Sequence, residues 1–320
     1  MSFHILGTGS FAPQFTVDNN QMAQLVDTSD EWITTRTGIK KRHIITTESV
    51  TEMALASAKR ALEDAQVDAA ELDLIIGTAS LQADYLTPSL ACFVEGGVGA
   101  KCPAFDVNAA CSSFLYALDI AASYCAAGKA KKILVVAAEA LSRHIDWSDR
   151  RTCVLFGDAS GAVVLEAGEG LLASRITSDC RPEVLHCQVP SVTSPFHDGV
   201  AQEHFVEMNG QEVYKFAVSS VARNLRYVTE KAGIDAHDID MFLLHQANQR
   251  IIDSIRERLG EPEEKFPCNI AEYGNTSSAS VPVLLDELNR AGRLKNGDIL
   301  FMTAFGAGLT TGTCLLKWYK

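Results

Sequence analysis

The chain has 320 residues, of which 47% are hydrophobic and 21% are charged, and its formal net charge is −12. This composition is typical of a globular protein with enough length for about two domains, and it excludes a disordered chain. The acidic balance also argues against nucleic acid as a partner, because phosphate binding requires a basic surface.

The nine cysteines and eight histidines show no spacing typical of a disulfide scaffold or of a zinc site. We therefore expect no metal and a reducing, cytoplasmic location. No apolar run approaches the roughly 20 residues that a membrane span requires, so we expect no membrane partner.

The segment Gly7-Thr-Gly9 follows an apolar start and superficially fits a dinucleotide-binding loop. Such a loop requires a helix that begins at its glycines and presents its N-terminus to the pyrophosphate. Pro13 interrupts that helix, so the sequence disfavours a nicotinamide or flavin site.

Two helix-to-strand units recur along the chain. Helical periodicity at 51–64 and at 214–231 is followed in each case by a short apolar strand. A second helix-like stretch ends at Gly128, and its counterpart ends 164 positions later at Gly292, again with an apolar strand after each. The similar spacing of the two units predicts an internal duplication.

Strands that alternate with helices predict α/β layers, and near-continuous apolar strands such as 133–138 predict sheets covered on both faces. We therefore predict two similar halves, at 1–170 and 171–320, that pack as one body. The segment 178–207 is rich in proline, serine and histidine, and we expect an irregular excursion there.

The strongest local signal lies at Cys111, between a strand end near Asp106 and an alanine-rich helix that ends at Gly128. A cysteine at a helix N-terminus lies near backbone N–H groups and the positive end of the helix dipole, so we expect its thiolate to be more accessible than usual. The alternative is a small buried hydrophobe. That is our interpretation of the other eight, Cys92, Cys102, Cys125, Cys153, Cys180, Cys187, Cys268 and Cys314.

The duplication singles out two further residues. At the same offset of 164 positions, Asn275 corresponds to Cys111 and lies at another strand-to-helix corner. His245 lies where a short apolar strand ends, and functional sites form at the carboxyl ends of such strands. Each has an ordinary alternative, a helix cap for Asn275 and a structural histidine for His245. Together they predict a site at which Cys111, His245 and Asn275 converge.

Five ordered motifs resemble those of one family. Three surround the candidate residues: Ala109-Ala-Cys111, Leu243-Leu-His245-Gln-Ala-Asn248 and Tyr273-Gly-Asn275-Thr-Ser-Ser. The other two are Asp30-Glu-Trp32-Ile-Thr-Thr-Arg36 and Asp149-Arg150-Arg. These motifs are similar to those of β-ketoacyl-acyl-carrier-protein synthase III, a thiolase-fold condensing enzyme. The resemblance implies a thiolase-like α/β fold, with duplicated βαβαβαββ halves in a five-layer αβαβα arrangement.

The resemblance implies that Cys111 attacks an acyl-CoA thioester, holds the acyl group and releases CoA. Malonyl-acyl carrier protein then loses carbon dioxide, and the resulting enolate attacks the acyl carbonyl. His245 and Asn275 are implied as donors to the malonyl thioester oxygen, and the backbone N–H groups of Cys111 and Ala307 as a second oxyanion hole. The implied function is the start of fatty acid biosynthesis, with acyl-CoA as a substrate and no cofactor.

The resemblance also implies binding residues for each substrate. They are Thr28, Trp32, Arg36, Arg150, Gly210 and Asn248 for CoA, Thr87 and Phe305 for the acyl pocket, and Lys215, Arg250, Arg256 and Arg258 for docking of the carrier protein. Trp32 and Arg150 are expected to sandwich the adenine. Thr87 stands where some relatives have a phenylalanine that closes the pocket from the partner subunit. We therefore expect a homodimer that accepts acyl groups longer or more branched than acetyl.

Several alternatives stay open from the residues alone. One is a specialised synthase of secondary metabolism with the same fold. Another is an acyltransferase or thioester hydrolase that uses Cys111 and His245 without decarboxylation. A third is a non-catalytic binding module that keeps only the fold. For the docking cations, the alternative is a solvated helix face of mixed charge.

Overall fold

A computed structural model describes residues 2–81, 83–189, 196 and 204–320. The strands within these residues are β1 (Ser2–Phe11), β2 (Thr16–Asp18), β3 (Lys41–His43), β4 (Leu74–Thr78), β5 (Ala104–Asp106), β6 (Lys132–Ala140), β7 (Asp158–Gly168), β8 (Leu171–Ser178), β9 (Leu185–His186), β10 (Glu207–Met208), β11 (Met241–Leu244), β12 (Ile299–Gly306) and β13 (Thr310–Lys317). The α-helices are α1 (Asn19–Met22), α2 (Asp30–Thr37), α3 (Val50–Ala65), α4 (Leu90–Val98), α5 (Ser113–Ala126), α6 (Gly210–Ala232), α7 (Gln249–Leu259), α8 (Ile270–Tyr273) and α9 (Ser280–Arg290). A short 3-10 turn, Ser277–Ala279, directly precedes α9.

Two sheets repeat one strand order. The first sheet runs β1-β7-β6-β4-β5, in which β4 is parallel to β5 and β6 and the other pairs are antiparallel. The second runs β8-β13-β12-β11, in which β11 and β12 are parallel and the other pairs are antiparallel. Strand for strand, β8, β13, β12 and β11 occupy the places of β1, β7, β6 and β4. The last strand of the first sheet ends at Gly168, and the first strand of the second sheet begins at Leu171. The predicted boundary at residue 170 falls between these two strands, and the division into two domains there stays a prediction.

The second sheet has four strands among the described residues, whereas the first has five. In the first half, β5 pairs with β4 just before the chain reaches Cys111. At the corresponding place before Asn275, Pro267 has no N–H to donate. The N–H of Asn269 donates to the side chain of Gln246 at 3.1 Å. The segment therefore does not extend the sheet, and the second half differs from the βαβαβαββ order by one short strand.

The two sheets and their helices form five layers. Helices α3 and α4 cover the outer face of the first sheet, and α6 and α7 cover the outer face of the second. Helices α5 and α9 lie between the sheets, where their apolar side chains join both inner faces in one core that includes Phe114, Leu284 and Trp318. The predicted α/β fold with αβαβα layers is therefore confirmed. Among the helices of the described ranges, none combines the length and the apolar character needed to cross a bilayer.

Local sequence determines where the helices and strands begin and end. Helix α3 begins after Ser49, whose side chain accepts from the N–H of Glu52 while the Glu52 carboxylate accepts from the N–H of Ser49. Helix α6 ends at Ala232, and the residue that follows, Gly233, caps it with a φ of 70°, which favours glycine. Strand β6 is buried at eight of its nine positions because helices cover both faces of the sheet, which explains its near-continuous apolar sequence.

The glycines of the Gly7-Thr-Gly9 segment serve packing. Both lie within β1, so no helix begins at them. A Cβ on Gly7 would lie 2.3 Å from the nitrogen of Ala65, and a Cβ on Gly9 would lie 2.3 Å from the oxygen of Ser57. These glycines let β1 approach the backbone of α3 more closely than a side chain would permit.

The predicted excursion at 178–207 is described only in part. Residues 190–195 and 197–203 of this segment lie outside the described residues. Strand β9 pairs with β10, which brings the chain back to the start of α6.

Gly9→Ala is expected to lower the free energy of unfolding by about 1–3 kcal/mol, because the added methyl group collides with the backbone of α3. Gly96→Ala is the matched control. A Cβ on Gly96 would meet no atom within 4 Å, and alanine favours the helix by about 0.5–1 kcal/mol. Urea unfolding followed by circular dichroism should move the midpoints of the two variants in opposite directions. Equal midpoints would contradict the close approach of β1 to α3.

Candidate active site

A cavity of about 1020 Å³ is lined by residues of both halves. Cys111 lies between β5 and α5, His245 directly follows β11, and Asn275 lies between α8 and the turn that leads into α9. All three line this cavity, so the structure brings the predicted residues together. In the described part of the chain, no group of three or more His, Cys, Asp or Glu side chains has the arrangement of a metal site.

Cys111 faces the cavity immediately before α5. The hydroxyl of Ser277 lies 3.1 Å from its Sγ. Desolvation by the surrounding protein raises the pKa of Cys111 to about 12, and the negative charge of Glu139 acts in the same direction. The thiolate that the sequence analysis expects at the helix N-terminus stays a prediction. The N–H groups of the two residues after Cys111 donate to carbonyl oxygens of the preceding turn, so they do not point to the sulfur.

His245 is a neutral imidazole with a defined donor. Its Nδ1 lies 2.7 Å from the hydroxyl of Ser280, and that hydroxyl accepts from the N–H of Gln246 at 3.4 Å. Among the described residues, Nδ1 is the acceptor recorded for the Ser280 hydroxyl, and in the tautomer in which that hydroxyl donates to Nδ1 the ring proton is on Nε2. Burial lowers the pKa of His245 to about 3. Nε2 is therefore a hydrogen-bond donor at neutral pH.

Asn275 is fixed through its backbone and its side chain. Its N–H donates to the carbonyl of Leu155 at 2.8 Å, and its carbonyl accepts from the N–H of Gly157 at 3.0 Å. The side-chain Oδ1 accepts from the N–H of Ser277 at 2.9 Å, which leaves Nδ2 as the donor. The alternative role of Asn275 as a helix cap therefore accounts only for its side-chain oxygen Oδ1. The side-chain nitrogen Nδ2 remains available to donate to a substrate.

Glu139 belongs to this site but is not among the residues predicted from the sequence. It lies in the buried strand β6, where its carboxylate accepts from the N–H and hydroxyl groups of Ser80 and Ser278. Burial raises the pKa of Glu139 to about 7, although these hydrogen bonds oppose the shift. The sequence does contain a signal for Glu139, since it is the one acidic residue inside this apolar strand. A buried carboxylate requires polar partners, so its position there indicates a polar site.

Strand β12 ends against Cys111. A Cβ on Gly306 would lie 2.6 Å from the backbone nitrogen of Cys111, so the approach requires glycine. Ala307, the predicted partner of Cys111 in an oxyanion hole, follows at the cavity wall. Phe305, predicted for the acyl pocket, also lines the cavity and packs edge-on against His245 with 5.2 Å between ring centroids.

The predicted CoA-binding residues fall into two groups. Arg36, Gly210 and Asn248 line the cavity. Trp32 and Arg150 lie beside it and contact each other, with the guanidinium carbon 5.4 Å from the centre of the indole ring. An adenine between them would require two stacking distances, about 7 Å. The two side chains are therefore too close to enclose an adenine in this conformation.

Two further residues define this surface. The hydroxyl of Thr28 is buried and has no hydrogen-bond partner in the described structure. Arg151 lines the cavity, although the prediction from the Asp149-Arg150-Arg motif was its neighbour Arg150. Its guanidinium forms paired hydrogen bonds of about 3 Å with Asp149, which hold it at the cavity mouth.

Thr87 is exposed and is not part of the described lining of its own chain's cavity. Its neighbours Tyr85 and Leu86 are 57% and 83% exposed. Such exposed apolar groups are typical of a surface that another protein covers.

The predicted docking cations are not all at one place. Lys215 and Arg250 are exposed at the cavity mouth. Arg256 and Arg258 lie further along α7 and are not among the lining residues, and Arg256 is half-buried.

Comparison with known proteins assigns the family. Residues 105–180 match the family described as 3-oxoacyl-[acyl-carrier-protein (ACP)] synthase III, and residues 229–318 match its C-terminal part. A β-ketoacyl-[acyl-carrier-protein] synthase III of Clostridium acetobutylicum is 44% identical over 325 residues, which cover 100% of this chain and 99% of that protein. The protein of the same name from Aquifex aeolicus is 46% identical, over 99% of this chain and 100% of its own. The chain belongs to the β-ketoacyl-[acyl-carrier-protein] synthase III family.

Two solved structures that are similar to this chain have the same fold. The Aquifex aeolicus 3-oxoacyl-[acyl-carrier-protein] synthase III superposes with a TM-score of 0.92 at 45% identity, covering 99% of this chain and 100% of that one. The priming β-ketosynthase of the R1128 polyketide biosynthetic pathway superposes with a TM-score of 0.93 at 36% identity, covering 100% of this chain and 97% of that one. The predicted family, thiolase-like fold and enzyme class, a condensing acyltransferase, are therefore confirmed.

Acid is expected to destabilise this synthase in part through His245. The unfolded chain binds a proton at this residue below a pH of about 6.5, whereas burial lowers the pKa in the folded state to about 3. Between these values the unfolded state binds more protons, so stability falls as the pH falls. Urea unfolding from pH 7 to pH 4 should show a smaller loss in His245→Gln than in the wild type, by up to about 1.4 kcal/mol per pH unit. If the free energy of unfolding fell equally with pH in the wild type and in His245→Gln, the result would contradict a buried neutral imidazole at this position.

Proposed function

We propose that this chain catalyses the decarboxylative condensation of an acyl-CoA with malonyl-acyl carrier protein and so starts fatty acid chains. One observation carries the proposal: a thiol and two oriented donors, His245 Nε2 and Asn275 Nδ2, line a single cavity. Acyl-CoA is a substrate in this reaction, and the proposal includes no resident cofactor. A cytoplasmic location stays a prediction.

The first half-reaction uses the sulfur of Cys111. A bond forms between Sγ and the acyl carbon, negative charge develops on the carbonyl oxygen, and the carbon–sulfur bond to CoA then breaks. The proposed donors to that oxygen are the backbone N–H groups of Cys111 and Ala307. The close approach that Gly306 allows between β12 and Cys111 supports this assignment.

The second half-reaction requires hydrogen-bond donors to the malonyl thioester oxygen. When the malonyl group loses carbon dioxide, the electron pair of the broken carbon–carbon bond moves to the thioester oxygen and forms an enolate. His245 and Asn275 stabilise that oxygen without reorientation, and the loss of one such donor typically raises a barrier by about 2.7–4 kcal/mol. The enolate carbon then attacks the acyl carbonyl, and the Cys111 thiolate leaves.

CoA is proposed to bind along the cationic mouth of the cavity. The exposed cations at the mouth are Arg36, Arg151, Lys215 and Arg250. They suit both the phosphates of CoA and an acidic carrier protein. Arg256 and Arg258 are proposed to extend the carrier-protein surface along α7, and Thr28, Gly210 and Asn248 stay predicted CoA contacts.

Adenine binding between Trp32 and Arg150 requires Arg150 to swing away from the indole. Arg150 is exposed, and its polar contacts are with Asp27, whose backbone oxygen accepts at 2.7 Å. The movement therefore breaks few interactions, and it exchanges one cation–π contact for contacts of both side chains with the base.

The acyl pocket is proposed to be completed by a second copy of the chain. Thr87 lies in the exposed group with Tyr85 and Leu86, which a partner subunit would cover. Because threonine is smaller than the phenylalanine of some relatives, the pocket is proposed to admit acyl groups longer or more branched than acetyl. Phe305 forms the wall contributed by the chain itself.

Intact-protein mass spectrometry tests the proposed function. Wild type mixed with acetyl-, butyryl- or isobutyryl-CoA should gain one acyl group, and Cys111→Ala should gain none. Malonyl-acyl carrier protein should then discharge the adduct as a β-ketoacyl product with release of carbon dioxide. Asn275→Ala is expected to keep the acylation but to slow the condensation about 10²–10³-fold, because it lacks one donor of the second half-reaction.

Two results of this assay would contradict the proposal. The absence of an adduct with every CoA ester would remove Cys111 as the acyl carrier. An adduct that water discharges without a β-ketoacyl product would identify a thioester hydrolase.

Thr87→Phe is expected to lower kcat/KM for isobutyryl-CoA by about 10-fold or more and to change the value for acetyl-CoA little, because the larger ring fills space needed by the branched group. Thr87→Val, which keeps the size, is the control and should retain both activities. Size-exclusion chromatography of all three forms should give a dimer. An equal loss for both substrates in Thr87→Phe would contradict a role for this residue in primer choice.

A specialised priming synthase is the second candidate. The structural match to the priming β-ketosynthase is as close as the match to the Aquifex aeolicus synthase. A condensation rate that is high only with a carrier protein dedicated to a polyketide pathway would favour this candidate.

A further inference from the structure

Two serine hydroxyls connect the sulfur of Cys111 to the carboxyl group of Glu139. The Ser277 Oγ lies 3.1 Å from Cys111 Sγ and 2.8 Å from the Oγ of Ser80. The Ser80 hydroxyl donates to Oε2 of Glu139 at 2.7 Å. The four groups belong to four segments of the chain, and the contacts between them are continuous.

The hydrogens of these hydroxyls can all point in one direction. Each hydroxyl has one hydrogen, which rotates to suit its partners, and two lone pairs that accept. In the structure the Ser277 hydroxyl is placed to donate either to the sulfur or to Ser80, and its single hydrogen makes one of these bonds at a time. When it rotates to donate to Ser80, the thiol hydrogen has the Ser277 Oγ as its acceptor, and Ser80 donates to Glu139. This arrangement forms a path for a proton from the sulfur to the carboxylate.

We propose that Glu139 receives the proton of Cys111 through Ser277 and Ser80 while the sulfur attacks the acyl-CoA. This inference rests on the proposed function. As the bond between Sγ and the acyl carbon forms, the S–H bond breaks, and each hydroxyl passes one proton on and receives one. The carboxylate becomes a carboxylic acid, and the departing CoA thiolate takes its proton from solvent.

The second half-reaction returns the proton. When the enolate attacks the acyl group, the thiolate of Cys111 leaves, and the protonated Glu139 supplies a proton to it along the same row in reverse. One complete cycle then restores the thiol and the carboxylate. It consumes one proton from solvent, which CoA carries away as its thiol.

The surroundings of the sulfur favour this acceptor. Burial raises the pKa of Cys111, so a free thiolate is unfavourable and the proton leaves as the new bond forms. The pKa of Glu139 is near 7, in the range suited to a proton acceptor at neutral pH. His245 is a poor acceptor, because its Nδ1 contacts Ser280 and burial lowers its pKa.

The other titratable groups on elements packed against β6 lie away from Glu139. Asp158 of β7 is on the opposite face of the sheet, where it accepts from the N–H groups of Ser142 and Ile45. Helix α3 covers that same opposite face. Its charged residues are Glu52, Lys59, Arg60, Glu63 and Asp64. On α5, Asp119 accepts from Ser174 and Tyr116 donates to Thr177, both in the second sheet.

The test is the pH dependence of acyl-enzyme formation. Single-turnover acylation by acetyl-CoA is measured from pH 5.5 to 9 by acid quench and intact mass. The wild-type rate should rise with one ionisation near neutral pH. Glu139→Gln keeps the shape of the side chain but cannot accept the proton, so its rate should fall about 10²-fold and lose that ionisation.

Two further variants separate a proton path from a structural role. Ser80→Ala interrupts the row while it keeps the carboxylate, so it should also lose the ionisation, and it serves if Glu139→Gln does not fold. Asp158→Asn removes a matched buried carboxylate that has no path to Cys111 and should keep the wild-type pH profile. Thermal unfolding of each variant measures the structural contribution.

Several results would overturn the proposal. Glu139→Gln removes a negative charge that disfavours the thiolate. Acylation as fast as or faster than in the wild type would therefore show that the carboxylate only opposes the thiolate and accepts no proton. A wild-type pH profile in Ser80→Ala would remove the path through the hydroxyls. Failure of the wild type itself to form an acyl-enzyme would instead contradict the proposed function, and the proton path with it.

Discussion

Desolvation of the space between the two sheets is the constraint on which the site depends. It raises the pKa of Cys111 and of Glu139 and lowers the pKa of His245. Each shift favours the neutral form of the group, because a charge is less stable where protein replaces water. Dipoles fixed in such a site act strongly on charge that develops during a reaction, since the local dielectric is low and the dipoles need not reorient. The burial that disfavours a resting thiolate is thus the same burial that makes the donors effective.

The polar segment from Asn275 to Ser280 makes this burial tolerable. All six of its residues are buried, and a buried polar group without a partner typically costs about 1–3 kcal/mol. Their hydrogen bonds are divided among the groups of the site: Ser280 contacts the imidazole of His245, and Ser278 donates to Glu139. The run Asn-Thr-Ser-Ser-Ala-Ser therefore supplies one partner to each group that the reaction requires in a defined orientation.

The fold and the centre of the site could be predicted because their signals are local or repeated. The periodicity at 214–231 predicts most of α6, and the strand order of the two sheets matches the repeat in the sequence. Glu139 could not be assigned a role in this way, since its partners Ser80 and Ser278 lie 59 and 139 positions away and meet it only in the folded chain. The protonation of Cys111 likewise depends on the atoms around the sulfur, which the position at a helix N-terminus does not reveal. The contact between Trp32 and Arg150 depends on the side-chain conformation, which the motifs leave open.

The duplication explains why nucleophile and donors come from different halves. Each half places a polar residue before a helix of the middle layer, Cys111 before α5 and Asn275 before the turn that leads into α9. Because both helices lie between the sheets, those two ends face one cavity, and β11 delivers His245 to the same place. The distance from the sulfur to the donors is therefore set by the core that α5 and α9 share with both sheets. A change in that core alters the alignment of the two half-reactions even where it touches no substrate, because a close-packed interior transmits displacement.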